Sequence, residues 1–256
     1  MTGMSMTATA IGIDIGGTGI KGGLVDLDKG CLLSDRIKLA TPHGGKPDDI
    51  VATVQQILSS LPDSANTSVG ICFPAAVVHG RTMSAANVAQ EWIGLKAEKL
   101  FEDALDRNVF FVNDADAAGY AESRFGAAKD QKGLVLMTTL GTGIGTAQIY
   151  NGILIPNAEL GHLEIHGEDY EKKASFAAKE RDNLTFEHWA KRLQRYYSHL
   201  EALLWPDLFI VGGGISKHYQ EFLPLLSLRT PIVPAALRNN AGILGAAALA
   251  GSERVG

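Results

Sequence analysis

Glycine placement constrains this chain more than any other feature of its 256 residues. The 29 glycines make up about 11% of the chain, against a usual value of about 7%. Residues 16–23 hold five of them, 141–145 three and 212–214 three. Each cluster follows an apolar run of strand character. At the end of three buried strands, therefore, the backbone must turn sharply or lie close to something.

The stretches between the clusters repeat an order. Residues 10–15 (AIGIDI), 20–27 (IKGGLVDL) and 31–39 (CLLSDRIKL) read as strands, with Asp28-Lys29-Gly30 as a turn, so an antiparallel meander is predicted. Pro47 to Ser60 is helical in pattern: Pro47 suits a first turn, Asp48 and Asp49 favour its positive end, and Ile50, Val51, Val54, Ile57 and Leu58 share one face. A strand at 67–73, a helix near 94–106, a strand at 108–112 and a helix over 115–125, stopped by Gly126, follow.

From residue 133 much the same order returns. A strand at 133–140 precedes a hairpin of 144–150 with 153–155 about Asn151-Gly152. A long amphipathic helix runs from Thr185 to about Leu204, with Trp189, Leu193, Tyr196, Leu200 and Leu203 on one stripe. A strand at 207–211 enters the third cluster, and 240–250 is a small-residue helix suited to tight packing. Strand, strand, strand, helix, strand, then the same again, predicts a duplicated α/β architecture with a cleft between its halves, not a parallel Rossmann order. The division is expected at 1–113 with about 240–256 (a small N-terminal lobe) and 114–239 (a larger C-terminal lobe).

Composition excludes several classes. A formal net charge of −5 argues against a nucleic-acid binder, and no apolar run approaches the roughly 20 residues that span a bilayer. The first ten residues (MTGMSMTATA) lack the basic and apolar regions of a secretory leader, so a cytoplasmic location is expected. Cys31 and Cys72, each in an apolar stretch, read as reduced core thiols.

The first cluster sits in Asp14-Ile15-Gly16-Gly17-Thr18-Gly19-Ile20-Lys21. Gly16, Gly17 and Gly19 free backbone N–H groups to converge, Thr18 adds a hydroxyl and Lys21 an ammonium, which is what a phosphate wants. Asp14 supplies the carboxylate that a water-bridged Mg²⁺ needs. The spacing is neither that of the P-loop nor that of the dinucleotide fingerprint, and a strand rather than a helix follows. A second Gly/Thr loop at Gly141-Thr142-Gly143, placed where a repeat would put it, suggests a two-sided phosphate clamp. Gly212-Gly213-Gly214 lets a planar group or a phosphate come close to the backbone, with a tight strand-to-helix turn as the alternative.

Between the loops, Asp114 stands just past a buried strand. It is a candidate general base for a sugar hydroxyl, a role that contributes typically 10²–10⁴-fold. Its neighbour Asn113 can bridge vicinal hydroxyls, and Asp116 is read mainly as a helix N-cap. Asn87, Glu159, His162 and Glu164 are further hydroxyl-binding candidates. A metal site or a solvated turn are the alternatives at 159–164, although the cysteines that a zinc site would recruit are absent.

Taken in order, DIGGTGIK at 14–21, LGTGIGTA at 140–147 and VGGGIS at 211–216 resemble the ROK family of sugar kinases, over nearly the whole chain. The resemblance implies the actin/hexokinase-like (ribonuclease H-like) fold. It also implies Asp114 as catalytic base, Asn87, Asn113, Glu159 and His162 on the hexose, and a phosphoryl donor held with Mg²⁺ near Asp14. It further suggests a homodimer. Most ROK kinases carry a cysteine-rich zinc motif after the position of His162. Here 162–192 contains no cysteine, so no zinc is expected, and the family's associated sugar-binding glutamate is left between Glu164 and Glu168.

The cysteine-free form looks like the polyphosphate glucokinase branch. The implied reaction is phosphoryl transfer from polyphosphate, ATP or both to the 6-hydroxyl of glucose, with mannose as a second acceptor. Alternatives are an ATP-only kinase for another sugar, or a non-catalytic sugar or nucleotide switch. A repressor is disfavoured, because about ten residues before the first strand are too few for a helix-turn-helix domain. Residues 171–195 carry a local charge of +3 within a chain of −5. Lys172, Lys173, Lys191 and Arg195 form a candidate track for a polyanion longer than ATP, or else an ordinary solvated face.

Overall fold

A computed structural model of the chain describes residues 8–252. The readings about a leader and a preceding domain bear on residues 1–7, which lie outside the described residues. The chain forms two compact units, Met1–Ala121 with Asn240–Gly256, and Glu122–Asn239.

The first unit contains strands β1 (Thr9–Ile15), β2 (Gly19–Asp26), β3 (Cys31–Leu32), β4 (Ile37–Ala40), β5 (Ser68–Phe73), β6 (Val77–Val78), β7 (Arg81–Thr82) and β8 (Val109–Asn113), with helices α1 (Pro47–Ser59) and α2 (Ala97–Leu105). Helix α3 (Asp114–Phe125) then leads onward. The second unit contains β9 (Leu134–Leu140), β10 (Ile144–Tyr150), β11 (Ile153–Ile155), the hairpin β12 (Glu164–Ile165) and β13 (Glu168–Asp169), helices α4 (Glu171–Ala174), α5 (Phe176–Arg181) and α6 (Phe186–Leu204), and strands β14 (Leu208–Gly212) and β15 (Ile232–Pro234). Helix α7 (Ala241–Ser252) returns to the first unit.

Both main sheets have the same plan. The first runs β3-β2-β1-β5-β8, with β4 also on β2, and the second runs β11-β10-β9-β14-β15. In each, the first pairs are antiparallel and the last two are parallel. The duplication read from the strand order is thus present as two copies of one topology.

Core composition explains the layers. In the first unit Phe73, Trp92, Phe111 and Phe101 of α2 pack ring against ring, with Phe73 and Trp92 ring centroids 4.4 Å apart. Helix α7 has no polar face, and its small residues let its backbone lie against the sheet. A Cβ on Gly12 of β1 would strike the carbonyl of Ile243, one on Gly70 of β5 that of Ala246, and one on Gly245 that of Ala117 in α3. In the second unit α6 buries Trp189, Leu193, Tyr196, Tyr197 and Leu200 against β9 and β14, and the Tyr197 hydroxyl lies 2.6 Å from that of Thr138.

Several expectations are corrected. The strand expected over 31–39 is two short strands, because the Leu24 N–H donates to the Ser34 hydroxyl where a ladder partner would stand. Leu203 is exposed, and Tyr197 takes its place on the buried stripe of α6. Cys31 is exposed on a two-residue edge strand, and only Cys72 is a core thiol. The boundary expected at 113/114 falls inside α3, whose first turns pack on α7 through Ala117 and Gly245. By residue count the unit holding the N-terminus is the longer.

Candidate functional site

The carboxyl ends of β1, β5 and β8 gather the polar groups of the first unit, where ligands commonly bind in α/β sheets. Asp14 and Lys21 are register partners across β1 and β2, and the ammonium donates to the carboxylate at 2.8 Å. Cys72 faces Asp14 on the next strand, its Sγ 3.8 Å from the Asp14 carboxylate. Burial first, then the carboxylates of Asp14 and Asp114, pushes the Cys72 thiol well up, which keeps it neutral. Asp14 also abuts the first turn of α7, where a Cβ on Gly242 would stand 2.9 Å from its Cγ. The positive end of that helix favours a carboxylate there.

The loop between β1 and β2 is held from both sides. Gly16 N–H donates to the Gly19 carbonyl at 3.1 Å and the Thr41 hydroxyl donates to the Gly16 carbonyl. Asn87, in a left-handed conformation, packs on Gly17, where a Cβ would come within 2.7 Å of its own. Thr18 remains exposed. The structure therefore brings together Asp14, Gly16, Gly17, Thr18, Gly19, Lys21 and Asn87.

Asn113 ends β8 and caps α3: its side-chain oxygen accepts from Ala115 N–H at 2.8 Å and Asp116 N–H at 3.0 Å, while its amide donates to the Ala75 carbonyl. The capping role read for Asp116 thus belongs to Asn113, and Asp116 is buried in the first turn of α3. Asp114 is the first helical residue and stays partly exposed, its carboxylate accepting from Ala115 N–H at 2.8 Å.

In the second unit Gly141, Thr142 and Gly143 link β9 to β10, with Gly141 N–H donating to the Gly143 carbonyl at 3.0 Å and Ala177 N–H of α5 donating to that of Gly141. Gly213, at φ +83, lies flat on the backbone of Leu140, so the second and third glycine loops are neighbours. Any side chain there would collide with Leu140. Gly212 ends β14, and Gly214 opens onto a cavity of about 610 Å³ lined by Gly141, Thr142, Ile215, Phe176, Phe186 and Lys179. Lys179 is nearly buried, 4.7 Å from the Phe186 ring centre and 3.0 Å from Glu180. An apolar slot with ammonium groups, beside two glycine loops, can take a flat ring or a phosphate.

Glu171 was missed by sequence reasoning. Its carboxylate accepts from Ile144 N–H at 2.7 Å and touches the position that a Cβ on Gly143 would occupy. It stands 27 residues from its partner, and no local pattern marks it. Of the two glutamates left open at sequence level, Glu164 is exposed on β12, and Glu168 is exposed and ion-paired with Lys173 at 3.1 Å.

Glu159 precedes a single helical turn, Leu160–His162, and His162 ends it. The Tyr196 hydroxyl donates to the Leu160 carbonyl, Leu160 N–H donates to the Thr146 hydroxyl, and Gly161 rests on Ile144. Burial holds the Tyr196 phenol well above its ordinary range, so it remains a donor. The basic track is partly occupied. Lys172 lies 3.6 Å from Asp169 and Lys173 pairs with Glu168, while Lys191 and Arg195 are exposed on α6. Nearby, Arg181 first and Arg192 second hold the Asp182 carboxyl well below the usual carboxylate range. Among the described residues no group of three or more His, Cys, Asp or Glu side chains has metal-site geometry. No helix among them is long and apolar enough to cross a membrane.

Two sheets of one topology, each with a glycine loop joining its first antiparallel strands, define the actin/hexokinase-like fold of sugar kinases. The model of the ROK family matches residues 10–175. The polyphosphate glucokinase of Mycobacterium tuberculosis H37Rv is 48% identical over 92% of this chain and 89% of its own length. The inorganic polyphosphate/ATP-glucomannokinase of Arthrobacter sp. strain KM superposes with a TM-score of 0.90 at 53% identity, covering 96% of this chain and 99% of that one. A ROK family glucokinase from Streptomyces griseus, solved with glucose and AMPPNP, gives a TM-score of 0.80 at 27% identity, covering 97% and 100%. This chain belongs to the ROK family.

Proposed function

We infer that the protein is a polyphosphate/ATP-dependent glucokinase, passing a terminal phosphoryl group to the 6-hydroxyl of glucose and, as a second acceptor, mannose. The observation that carries this is the pair of glycine loops at equivalent strand ends, in a chain that keeps 48% identity to a polyphosphate glucokinase along 92% of its length. Phosphoryl transfer needs positioning and charge neutralisation more than covalent help from the protein.

Asp114 accepts the proton of the attacking hydroxyl. A partly exposed carboxylate at a strand end is accessible to a sugar, and the cap supplied by Asn113 fixes the turn that carries it. Asn87, Asn113, Glu159, His162 and Glu164 are the proposed hydroxyl ligands. Glu171 joins the site by bracing the second loop. Gly16, Gly17, Thr18, Gly19 and Lys21, with Gly141, Thr142 and Gly143, hold the donor phosphates, and Gly212, Gly213 and Gly214 border the space for the remainder of the donor. A Mg²⁺ that keeps several waters and takes its other ligands from substrate phosphates needs only one or two protein carboxylates. Asp14, partly buried at its strand end and oriented by Lys21, fits that demand through water. Bound there, the ion supplies charge neutralisation of the transferring group. We propose a cytoplasmic homodimer; support for self-association is the edge strand β11, which leaves Ile153 and Ile155 exposed.

The test is glucose 6-phosphate formation with ATP and with inorganic polyphosphate, in wild type and Asp114→Asn. Wild type uses both donors, and the variant loses about 10²–10⁴-fold in kcat with either. Inert polyphosphate removes the donor assignment. Near-full turnover of the variant at unchanged glucose affinity removes the base.

A further inference from the structure

We propose that Asp169 is a positioning residue that sets two groups from one side chain: the imidazole of His162 and the carboxylate of Glu171. This rests on the proposed role of His162 as a hydroxyl ligand. Asp169 ends the short hairpin β12–β13. One carboxylate oxygen lies 3.3 Å from His162 Nδ1, and the other accepts from Glu171 N–H at 3.2 Å. Glu171 in turn accepts from Ile144 N–H at 2.7 Å and fills the space beside Gly143. A single carboxylate therefore connects a hydroxyl-binding turn to the second glycine loop.

The chemistry of the two contacts follows from what a carboxylate can do. It only accepts. The proton shared with His162 must therefore sit on Nδ1, which leaves Nε2 as a lone-pair acceptor for a hydroxyl. On the other side, the Glu171 N–H opens α4 and has no partner within its own helix. Asp169 satisfies it, and this fixes the backbone from which Glu171 reaches across to Ile144. The third neighbour is Lys172, 3.6 Å away on a side chain 75% exposed. It is too solvated to hold the carboxylate in place.

Asp169→Asn separates the two contacts. The asparagine oxygen still accepts from Glu171 N–H, but an amide facing His162 can donate, which moves the ring proton to Nε2. The ring tautomer is read from ¹⁵N shifts of histidine-labelled protein at pH 8. Wild type is expected to show the Nδ1–H form at His162, and Asp169→Asn the Nε2–H form. In kinetics the variant should raise the KM for glucose about tenfold, the value of one lost hydroxyl hydrogen bond, and change the KM for ATP less than twofold. The double variant His162→Gln with Asp169→Asn should be no worse than His162→Gln alone.

A wild-type Nε2–H tautomer overturns the proposal, whether or not the variant folds. So does an unchanged glucose KM in Asp169→Asn when His162→Gln has raised it. If His162→Gln itself leaves the glucose KM unchanged, the hydroxyl-ligand role of His162 fails instead, and the tautomer still decides whether Asp169 orients the ring.

Discussion

The two glycine loops occupy equivalent places in two sheets of one topology, yet they are built differently. The first carries its own charges. Asp14 and Lys21 face each other across adjacent strands, seven residues apart, and pair at 2.8 Å. The second has no charge within 140–147 and borrows Glu171 from a helix that follows a separate hairpin. Their foundations differ too. The strand before the first loop is pressed against the backbone of α7 at Gly12, whereas Gly143 of the second loop meets only the end of a flexible side chain. A duplicated frame thus keeps its topology while each copy finds its own way to stiffen the loop. Backbone packing supports both, at Gly12 for the first and at Leu140 and Ile144 for the second, but the first adds a local ion pair and the second a distant carboxylate.

Substitutions can break this contrast. The largest effect after loss of Asp114 is expected from Gly12→Ala, whose new methyl must displace the helix backbone. About 3 kcal/mol of stability should be lost, read as a fall in the urea midpoint, while Gly143→Ala should leave that midpoint nearly unmoved and lower activity. Equal losses of stability would erase the distinction between the loops. Lys21→Ala should follow, with kcat reduced about 10²-fold for both donors, as removal of a preorganised charge from a transferring group generally does. Steady-state rates at saturating glucose measure it.

Glu171→Gln comes next. Its amide oxygen can still accept from Ile144 N–H, so about tenfold in kcat/KM for the donor is expected, and Glu171→Ala should cost more. If the alanine variant matched wild type, the second loop would need no brace. Charge reversal on the basic face should have the smallest effect and depend on the donor. Lys172→Glu and Lys173→Glu remove cations already facing Asp169 and Glu168, and exposed pairs of this kind contribute about 0–1 kcal/mol. Lys191→Glu with Arg195→Glu removes charges from the exposed face of α6. Only the second pair should raise the KM for long-chain polyphosphate, by about threefold, and leave that for ATP unchanged. Equal effects on both donors would discard the track.

How much of this was legible in the sequence follows the same divide. The first loop could be read almost whole, because its turn, its carboxylate and its ammonium lie within eight residues. The hairpin at Asn151-Gly152 was equally plain, since both residues adopt the positive φ that such a turn demands. Expectations failed where a side chain answered to a partner that no period or motif marks. Ser34 interrupts a strand because it takes the N–H of Leu24. Asn113 replaces Asp116 as cap because the helix begins one residue earlier than its apolar pattern suggested. Leu203 leaves the buried stripe of α6 and Tyr197 joins it, where it reaches Thr138. Lys172 and Lys173 were counted in a basic balance, and the short hairpin before them supplied acids that face both.

Local covalent order therefore determined the strand and turn plan, the three glycine loops and the acid at the end of β8, because each depends on backbone freedom or on neighbours a few residues away. Folding decided which groups serve those loops. A hydrogen bond needs about 3 Å, and Glu171, which braces the second loop at that distance, is brought there by packing across 27 residues of chain that leave no period or motif to read.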